Sequence, residues 1–364
     1  GSTDASVDAR LAEAKQEIAE LRSQVADLNM SDSDRRLARM RSSEMKALVN
    51  DVLADADTRM YLNSTQDFTL DFSGFAVTRW QYAAGGGNDS THEFSLPYAR
   101  LEFSGDVHGI GYMVSGEWSD YTNNFDLLDA YFNASVGGFD VKGGQFVSSF
   151  YSGYTDSPLD QVTGEYSLIA TTFGQGRSQG IEVSRDLGFL SLAASYNDGF
   201  NSANGAGVAN DYGFSLRADA DLGYGFGVGA AFATQSGVID YNSYTLDASW
   251  NYDALDLSVA WVASDAGDGY SDNYGFVGTA AYQCMDNLQG FVQYEHGRVG
   301  AGSSDLNIAT VGVNYDISDG VRWTTSAGYA FDAVDAGWDT GRTGWNSSTT
   351  DGQYVISTQI AISF

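Results

Sequence analysis

Residues 66–82 read Gln66-Asp67-Phe68-Thr69-Leu70-Asp71-Phe72-Ser73-Gly74-Phe75-Ala76-Val77-Thr78-Arg79-Trp80-Gln81-Tyr82. Phe68, Leu70, Phe72, Gly74, Ala76, Thr78, Trp80 and Tyr82 share one face of an extended chain, and Thr69, Asp71, Ser73, Arg79 and Gln81 share the other. Phe75 and Val77 are apolar exceptions on the polar face. A period of two marks a β-strand with one apolar and one polar side. Strands of a soluble sandwich alternate too, but are typically about 5–6 residues long. This run holds its period for 17 residues, which suits a tilted membrane-spanning strand.

The same period continues to the C-terminus. Val321, Trp323, Thr325, Ala327, Tyr329 and Phe331 oppose Arg322, Thr324 and Ser326, and Tyr354, Ile356, Thr358, Ile360, Ile362 and Phe364 oppose Ser357, Gln359 and Ser363. Such runs number sixteen between residues 66 and 364. Short connections fall at Gly109, Gly137-Gly138, Leu187-Gly188, Gly223-Tyr224, Asp253-Ala254, Met285-Asp286 and Ser318-Asp319, and long ones at 83–91, 149–178, 198–210, 265–272 and 332–349. An even strand count with alternating short and long connections is the arrangement of an outer-membrane barrel. The expected fold is therefore an all-β transmembrane protein, a 16-stranded antiparallel outer-membrane β-barrel over residues 66–364.

Ahead of the barrel the period changes. Val7, Leu11, Ala14, Ile18, Leu21, Val25 and Leu28 repeat at spacings of four and three, the a/d seam of a coiled coil. That seam predicts an N-terminal α-helical coiled-coil stalk over residues 1–30. Ser31-Asp32-Ser33-Asp34 supplies N-caps for a second amphipathic helix and linker over residues 31–65. β-branched residues at a with Leu at d lean towards a parallel dimer, so barrel contacts are expected to decide the oligomer.

Composition narrows the function classes. The 364 residues include 43 Gly, 22 Tyr and 20 Phe but only two Pro, which suits strands and tight turns. No run approaches the ~18 apolar residues of a helical membrane span, a test that strands escape. The net charge of −30 excludes a nucleic-acid partner, which needs a cationic footprint. Cys284 is alone, so no disulfide framework exists. Gly1-Ser2-Thr3-Asp4 has no signal-peptide character, so an exported chain is expected here in mature form. His92, His108 and His296 are isolated, and no catalytic residue, metal site or cofactor is expected. Asp265, Asp268, Asp272 and Asn273 could hold Ca²⁺ on an outer loop, although their spacing matches no EF-hand and a hydrophilic acidic loop is the plainer reading.

Leu128-Asp129-Ala130-Tyr131-Phe132, followed by Gly144-Gln145-Phe146, resembles the phosphate-selective porin (O/P) family of Gram-negative outer membranes. So do Arg177-Ser178-Gln179-Gly180-Ile181-Glu182-Val183 and Tyr196-Asn197-Asp198-Gly199-Phe200-Asn201. The heptad segment before the barrel resembles porins of planctomycete-type bacteria, and Phe364 looks like the terminal aromatic that barrel-assembly machinery reads. The resemblance implies a sixteen-stranded homotrimeric channel whose third outer loop folds inward, and residues 149–178 have the place and length for that loop. Two departures stand against phosphate selectivity. Val147-Ser148-Ser149-Phe150 lacks the basic residue common after the Gly-Gln-Phe triplet, and residues 66–364 carry nine basic against 36 acidic residues.

The expected function is thus passive diffusion of small hydrophilic solutes and ions, with cation preference. Alternatives are a structural anchor tethering the envelope through the periplasmic stalk and a substrate-specific nutrient channel. Asp156, Asp160 and Glu165 are the constriction candidates. Asp71, Arg79, Arg100, Glu102, Asp106, Glu117, Asp129, Lys142, Glu182, Arg217, Asp219, Asp247, Glu295 and Arg322 are expected to line the pore. Arg79, Arg100, Arg217 and Arg322 are expected to face the acidic loop across the bore, unless the wall charges simply pair along the wall. Expected partners are outer-membrane lipid and lipopolysaccharide, the assembly machinery and, through the stalk, peptidoglycan or another wall component.

Overall fold

The computed structural model describes Glu20 and residues 68–155, 157–205, 211–237, 240–266, 273–300 and 305–364. The expected seam of Val7, Leu11, Ala14, Ile18, Leu21, Val25 and Leu28, and the second helix over 31–65, lie outside these residues. The unit described below is Phe68–Phe364.

Its strands are β1 (Asp71–Gly85), β2 (Asn88–Val107), β3 (Ile110–Ser119), β4 (Asn124–Val136), β5 (Phe139–Val147), β6 (Arg177–Asp186), β7 (Leu190–Asn197) and β8 (Tyr212–Asp221). They continue with β9 (Phe226–Ser236), β10 (Tyr241–Tyr252), β11 (Leu255–Ala266), β12 (Asn273–Met285), β13 (Leu288–Arg298), β14 (Leu306–Ser318), β15 (Val321–Ala330) and β16 (Tyr354–Ser363). Two short helices, α1 (Ser152–Thr155) and α2 (Leu168–Phe173), lie between β5 and β6. Each strand pairs antiparallel with its neighbours in sequence, and β1 closes on β16. Closure leaves no sheet edge with unpaired N–H and C=O groups, which a hydrocarbon surrounding would penalise by several kcal/mol each. Phe364 completes the seam: its N–H donates to the Gly74 carbonyl at 3.0 Å, and its ring lies 5.7 Å from that of Phe72.

The alternation read from the sequence becomes an inside and an outside. On β2, Leu101 and Phe103 are 38% and 42% exposed while Arg100, next to Leu101 on the other face, is 8% exposed. Ile181, Leu192, Leu216, Leu246, Val292, Val311 and Ile360 continue the exposed apolar belt around the wall. At one rim the strands join through tight turns such as His108-Gly109, with φ of 57° and 81°, the left-handed pair that suits hairpin twist.

The opposite rim departs from expectation at 83–91. Instead of a long loop, β1 and β2 run on to Gly85 and Asn88, with His92 paired to Tyr82 and Thr91 to Ala83. Gly86 and Gly87 make the link at φ of 63° and 74°, a conformation available to consecutive glycines, so the ladder need not open early.

A bulge in β4 accounts for the Gly-Gln-Phe triplet. Val114 pairs with Ala130 but Gly116 with Leu127, so the register shifts at Leu128 and Asp129. The Gln145 amide donates to the Leu127 and Leu128 carbonyls at 3.1 and 2.7 Å. Gly144 has φ of 136°, and a Cβ there would stand 2.3 Å from the Ala130 carbonyl oxygen. Gly144→Ala is expected to cost about 1–3 kcal/mol. The check is the urea midpoint of the refolded barrel in detergent; an unchanged midpoint would show that the bulge carries no such constraint.

Two loops fold into the barrel. Residues 148–176 contribute Phe150, Tyr151, Leu168 and Ile169 to the inner core, and residues 331–353 contribute Val334, Trp338 and Trp345. These pack against Ala233, Val262, Val277, Leu306 and Ile308 on the inner wall. Each fully buried side chain of this size contributes roughly 1.5–3 kcal/mol. Phe75 and Val77 form a second patch with Tyr98 and Ala361, and Leu159 packs onto it. The apolar exceptions on β1 are therefore the seat of the first loop.

Candidate functional site: the constriction

The first inward loop is held by side chains of the wall. Asn314 donates to the Val162 carbonyl and Gln359 to the Gly164 carbonyl, both at 2.8 Å. Glu165 follows, paired with Arg79 and accepting a hydrogen bond from the Tyr98 hydroxyl. Burial pushes its pKa above the ordinary carboxylate range, against the opposing pull of Arg79 and Tyr98. Ser167 caps α2 by accepting from the Ala170 N–H, and Glu295 on β13 accepts from the Ile169 N–H at 3.0 Å. A wall carboxylate thus satisfies a first-turn donor that the helix itself leaves open.

The last loop meets the first in the mouth. The Thr171 hydroxyl donates to the Asp339 carbonyl at 2.9 Å, and the Asp339 N–H donates to the Thr172 hydroxyl at 3.0 Å. Trp338 packs edge-on to Phe173. Arg342 reaches the Glu117 carboxylate at 2.7 Å with its guanidinium 5.1 Å from the Tyr98 ring centre. Its own pKa is held above the ordinary arginine value, burial notwithstanding, by Glu117 and Tyr98.

Between the two loops and the wall of β2–β6 lies a cavity of about 460 Å³, lined by Arg100, Glu117, Asp129, Lys142, Arg177 and Arg342 among others. A second space of about 620 Å³ lies towards the short-turn rim, bounded by Glu102, Asp160, Asp316 and Arg322. Ser157 lines both, so the two spaces adjoin there. Across the loop a space of about 60 Å³ lies beside Glu165, Glu295 and Gln359.

The expected pore-lining side chains project to the inner side, but pairing governs most of them. Arg100 donates twice to Glu117, at 3.0 and 2.9 Å, and lies 3.8 Å from Glu102. Arg177 holds Asp129 with two hydrogen bonds at 3.0 and 2.9 Å, and Lys142 lies 3.3 Å from Glu182. Arg217 binds Asp219, Asp247 and the Phe150 carbonyl. Arg322 pairs with Asp316 at 2.7 Å. Of the four arginines expected to face the loop across the bore, Arg79 does so, through Glu165. Arg100 and Arg322 pair along the wall, and Arg217 does so while also holding the loop's backbone. For Arg100 and Arg322 the reason is register: Glu117 and Asp316 stand directly opposite them on adjacent strands, whereas Arg217 reaches Asp219 on its own strand and Asp247 two strands away.

Asp106 serves the turn, accepting from the Gly109 N–H at 2.7 Å, and Asp71 is exposed near the same rim. Asp160 borders the larger space, whereas Asp156 lies outside the described residues. Asp265 and Asn273 are described and Asp268 and Asp272 are not; among the described residues no three His, Cys, Asp or Glu converge. Sequence reasoning missed Tyr98, Arg177, Asp316 and Arg342. The signal for Arg342 was its setting, a supposed outer loop that carries Trp338 and Trp345.

A closed sixteen-stranded barrel narrowed by a loop folded into its lumen defines the porin fold. No family model and no curated protein matches the chain. Solved structures do. The chain is similar to an anion-selective porin from Comamonas acidovorans, with a TM-score of 0.65 at 16% identity over 82% of this chain and all of that one. A Salmonella typhi OmpF in complex with daunomycin gives 0.62 at 14% identity, over 82% of this chain and 98% of that one. The trimer form of OmpT, an outer membrane protein of Vibrio cholerae, gives 0.60 at 12% identity, over 82% and 99%. At such identities the shared property is the fold.

Proposed function

We propose that the chain is an outer-membrane porin through which small hydrophilic solutes and ions diffuse passively. The observation that carries this reading is the polar cavity of about 460 Å³ beside the inward loop, inside a wall whose outer face is apolar. Cation preference is part of the proposal and rests on the nine basic against 36 acidic residues of 66–364. One structural neighbour is described as anion-selective; the charge balance here argues for the opposite sign. Purified protein in planar bilayers is expected to give ohmic conductance steps, and in a KCl gradient a reversal potential on the cation side. Absence of open conductance would overturn the channel, and an anion-side potential the preference.

A homotrimer fits this reading, in line with the trimer form of the Vibrio neighbour, and sedimentation in detergent tests it. Lipid and lipopolysaccharide contact the apolar belt, and the assembly machinery reads Phe364. The tether reading, in which the periplasmic stalk engages peptidoglycan or another wall component, rests on the heptads from Val7 to Leu28. Deleting residues 1–60 would detach the envelope under that reading and leave conductance intact.

A further inference from the structure

We propose that the constriction cavity is a binding site for a neutral carbohydrate of one or two sugar rings; the proposal rests on the channel reading and deepens it. Its first support is aromatic. Tyr121, Tyr131, Tyr154 and Tyr166 line the cavity. The Tyr154 and Tyr166 rings lie 5.1 Å apart with 34° between their planes, packed on each other where the inward loop borders the cavity. Their placement is built in: a Cβ at Gly174 would stand 2.3 Å from Tyr154 Cγ, so glycine lets the ring take its place. Aromatic faces suit the C–H face of a pyranose, which is apolar, while the phenol hydroxyl stays available to water or solute.

The second support is the state of the charges. Glu117 is matched by Arg100 and Arg342, Asp129 by Arg177, and Glu182 by Lys142. Lys142 also lies 5.4 Å from the centre of the Tyr131 ring. A charged solute would have to compete with a partner already in place. A hydroxyl need not, because a carboxylate offers about four lone-pair sites and a guanidinium about five N–H donors, more than these pairs consume. Sugar hydroxyls both donate and accept, which fits a wall where acceptors and donors alternate. The third support is size: about 460 Å³ falls within the roughly 300–1,000 Å³ of small-molecule sites.

The test uses the full chain in planar bilayers with maltose as probe and lactobionate as its acidic counterpart. Maltose is expected to reduce the current saturably. The double variant Tyr154→Ala/Tyr166→Ala is expected to raise the half-blocking concentration at least about tenfold, and Tyr154→Phe/Tyr166→Phe to change it by less than about threefold. Calorimetric titration of maltose into the folded protein in detergent, with the unheated gel shift confirming folding of each variant, gives the same comparison without conduction. A current that falls only in proportion to bath viscosity, with no heat of binding, overturns the sugar site while the channel reading stands. Stronger block by lactobionate than by maltose overturns it in favour of an ion site. If no channel opens, the channel reading falls and the titration alone decides the site: a saturable heat lost in the alanine variant sustains it, and no heat overturns it.

Discussion

Glu165→Ala is expected to free the inward loop from the wall and to speed amide exchange in residues 160–170 by about two to three decades. Arg79 and Glu165 are an ion pair with side chains 5% and 12% exposed. Removing the carboxylate leaves the guanidinium buried beside the loop, with its Nε already lacking a partner among the described residues. Breaking such a pair from one side costs about 3–5 kcal/mol, whereas replacing both partners by apolar side chains of similar volume is often nearly neutral. The double variant Arg79→Met/Glu165→Leu is therefore expected to keep more protection than Glu165→Ala alone. Hydrogen exchange read by mass spectrometry, corrected for intrinsic rates, makes the comparison; unchanged protection in the single variant would show that the Asn314 and Gln359 contacts suffice.

The same carboxyl fixes the direction of a pH effect. Burial holds Glu165 above the ordinary carboxylate range when the loop is docked. Docking therefore takes up a proton in the window between the ordinary carboxylate value and the raised one. Its contribution is fully present below the ordinary value and is lost as pH rises through the raised one. Mild acid is thus expected to tighten the loop rather than release it. Arg79→Ala removes the largest influence lowering that pKa, so the loop's protection should depend on pH more steeply in this variant than in the parent.

Much of the barrel was legible because its physics is local. Alternation from Phe68 to Tyr82, or from Tyr354 to Phe364, follows from which side of a pleated strand meets an apolar surrounding, and Gly109 or Gly137-Gly138 mark turns by backbone freedom alone. The two exceptions on β1 were legible as exceptions but not as a seat, since nothing local to Phe75 and Val77 names Leu159 as their partner. The site was less legible for the same reason. Glu117 and Arg342 stand 225 residues apart and Arg79 and Glu165 stand 86 apart, so those pairs exist only once sixteen registers and two loops are fixed. The 149–178 segment was marked by length and place, which say nothing of how Asn314 and Gln359 grip its carbonyls. The last loop, 332–349, is expected outside from its length in the alternation of short and long connections; its two tryptophans are the contrary sign.

Replacing residues 332–351 with Asn-Gly is expected to widen the mouth and raise single-channel conductance at least about twofold. The hairpin should survive, because Tyr329 already pairs with Tyr354 across β15 and β16, and the Ala330 N–H donates to the Gln353 carbonyl at 2.8 Å. Asn-Gly is the two-residue turn that suits such a closure. The loop's removal takes Val334, Trp338 and Trp345 out of the inner core and leaves Leu306 and Ile308 facing water, so stability should fall as conductance rises. The two effects have separate causes and can be separated by experiment: Trp338→Ala together with Trp345→Ala should reproduce the loss of stability while Arg342 keeps its reach to Glu117. Charge selectivity should follow Arg342 instead. In Arg342→Gln, Glu117 keeps only Arg100, the cavity loses one positive charge, and the reversal potential in a KCl gradient should move further to the cation side. The loop deletion, by contrast, also takes out Asp339, a carboxylate of the same cavity. Arg342→Gln, which retains the loop, should give the shift in potential with little change in conductance. A loop-deleted channel with parental conductance would place residues 332–351 outside the conduction path and leave the inward loop as the narrowing element.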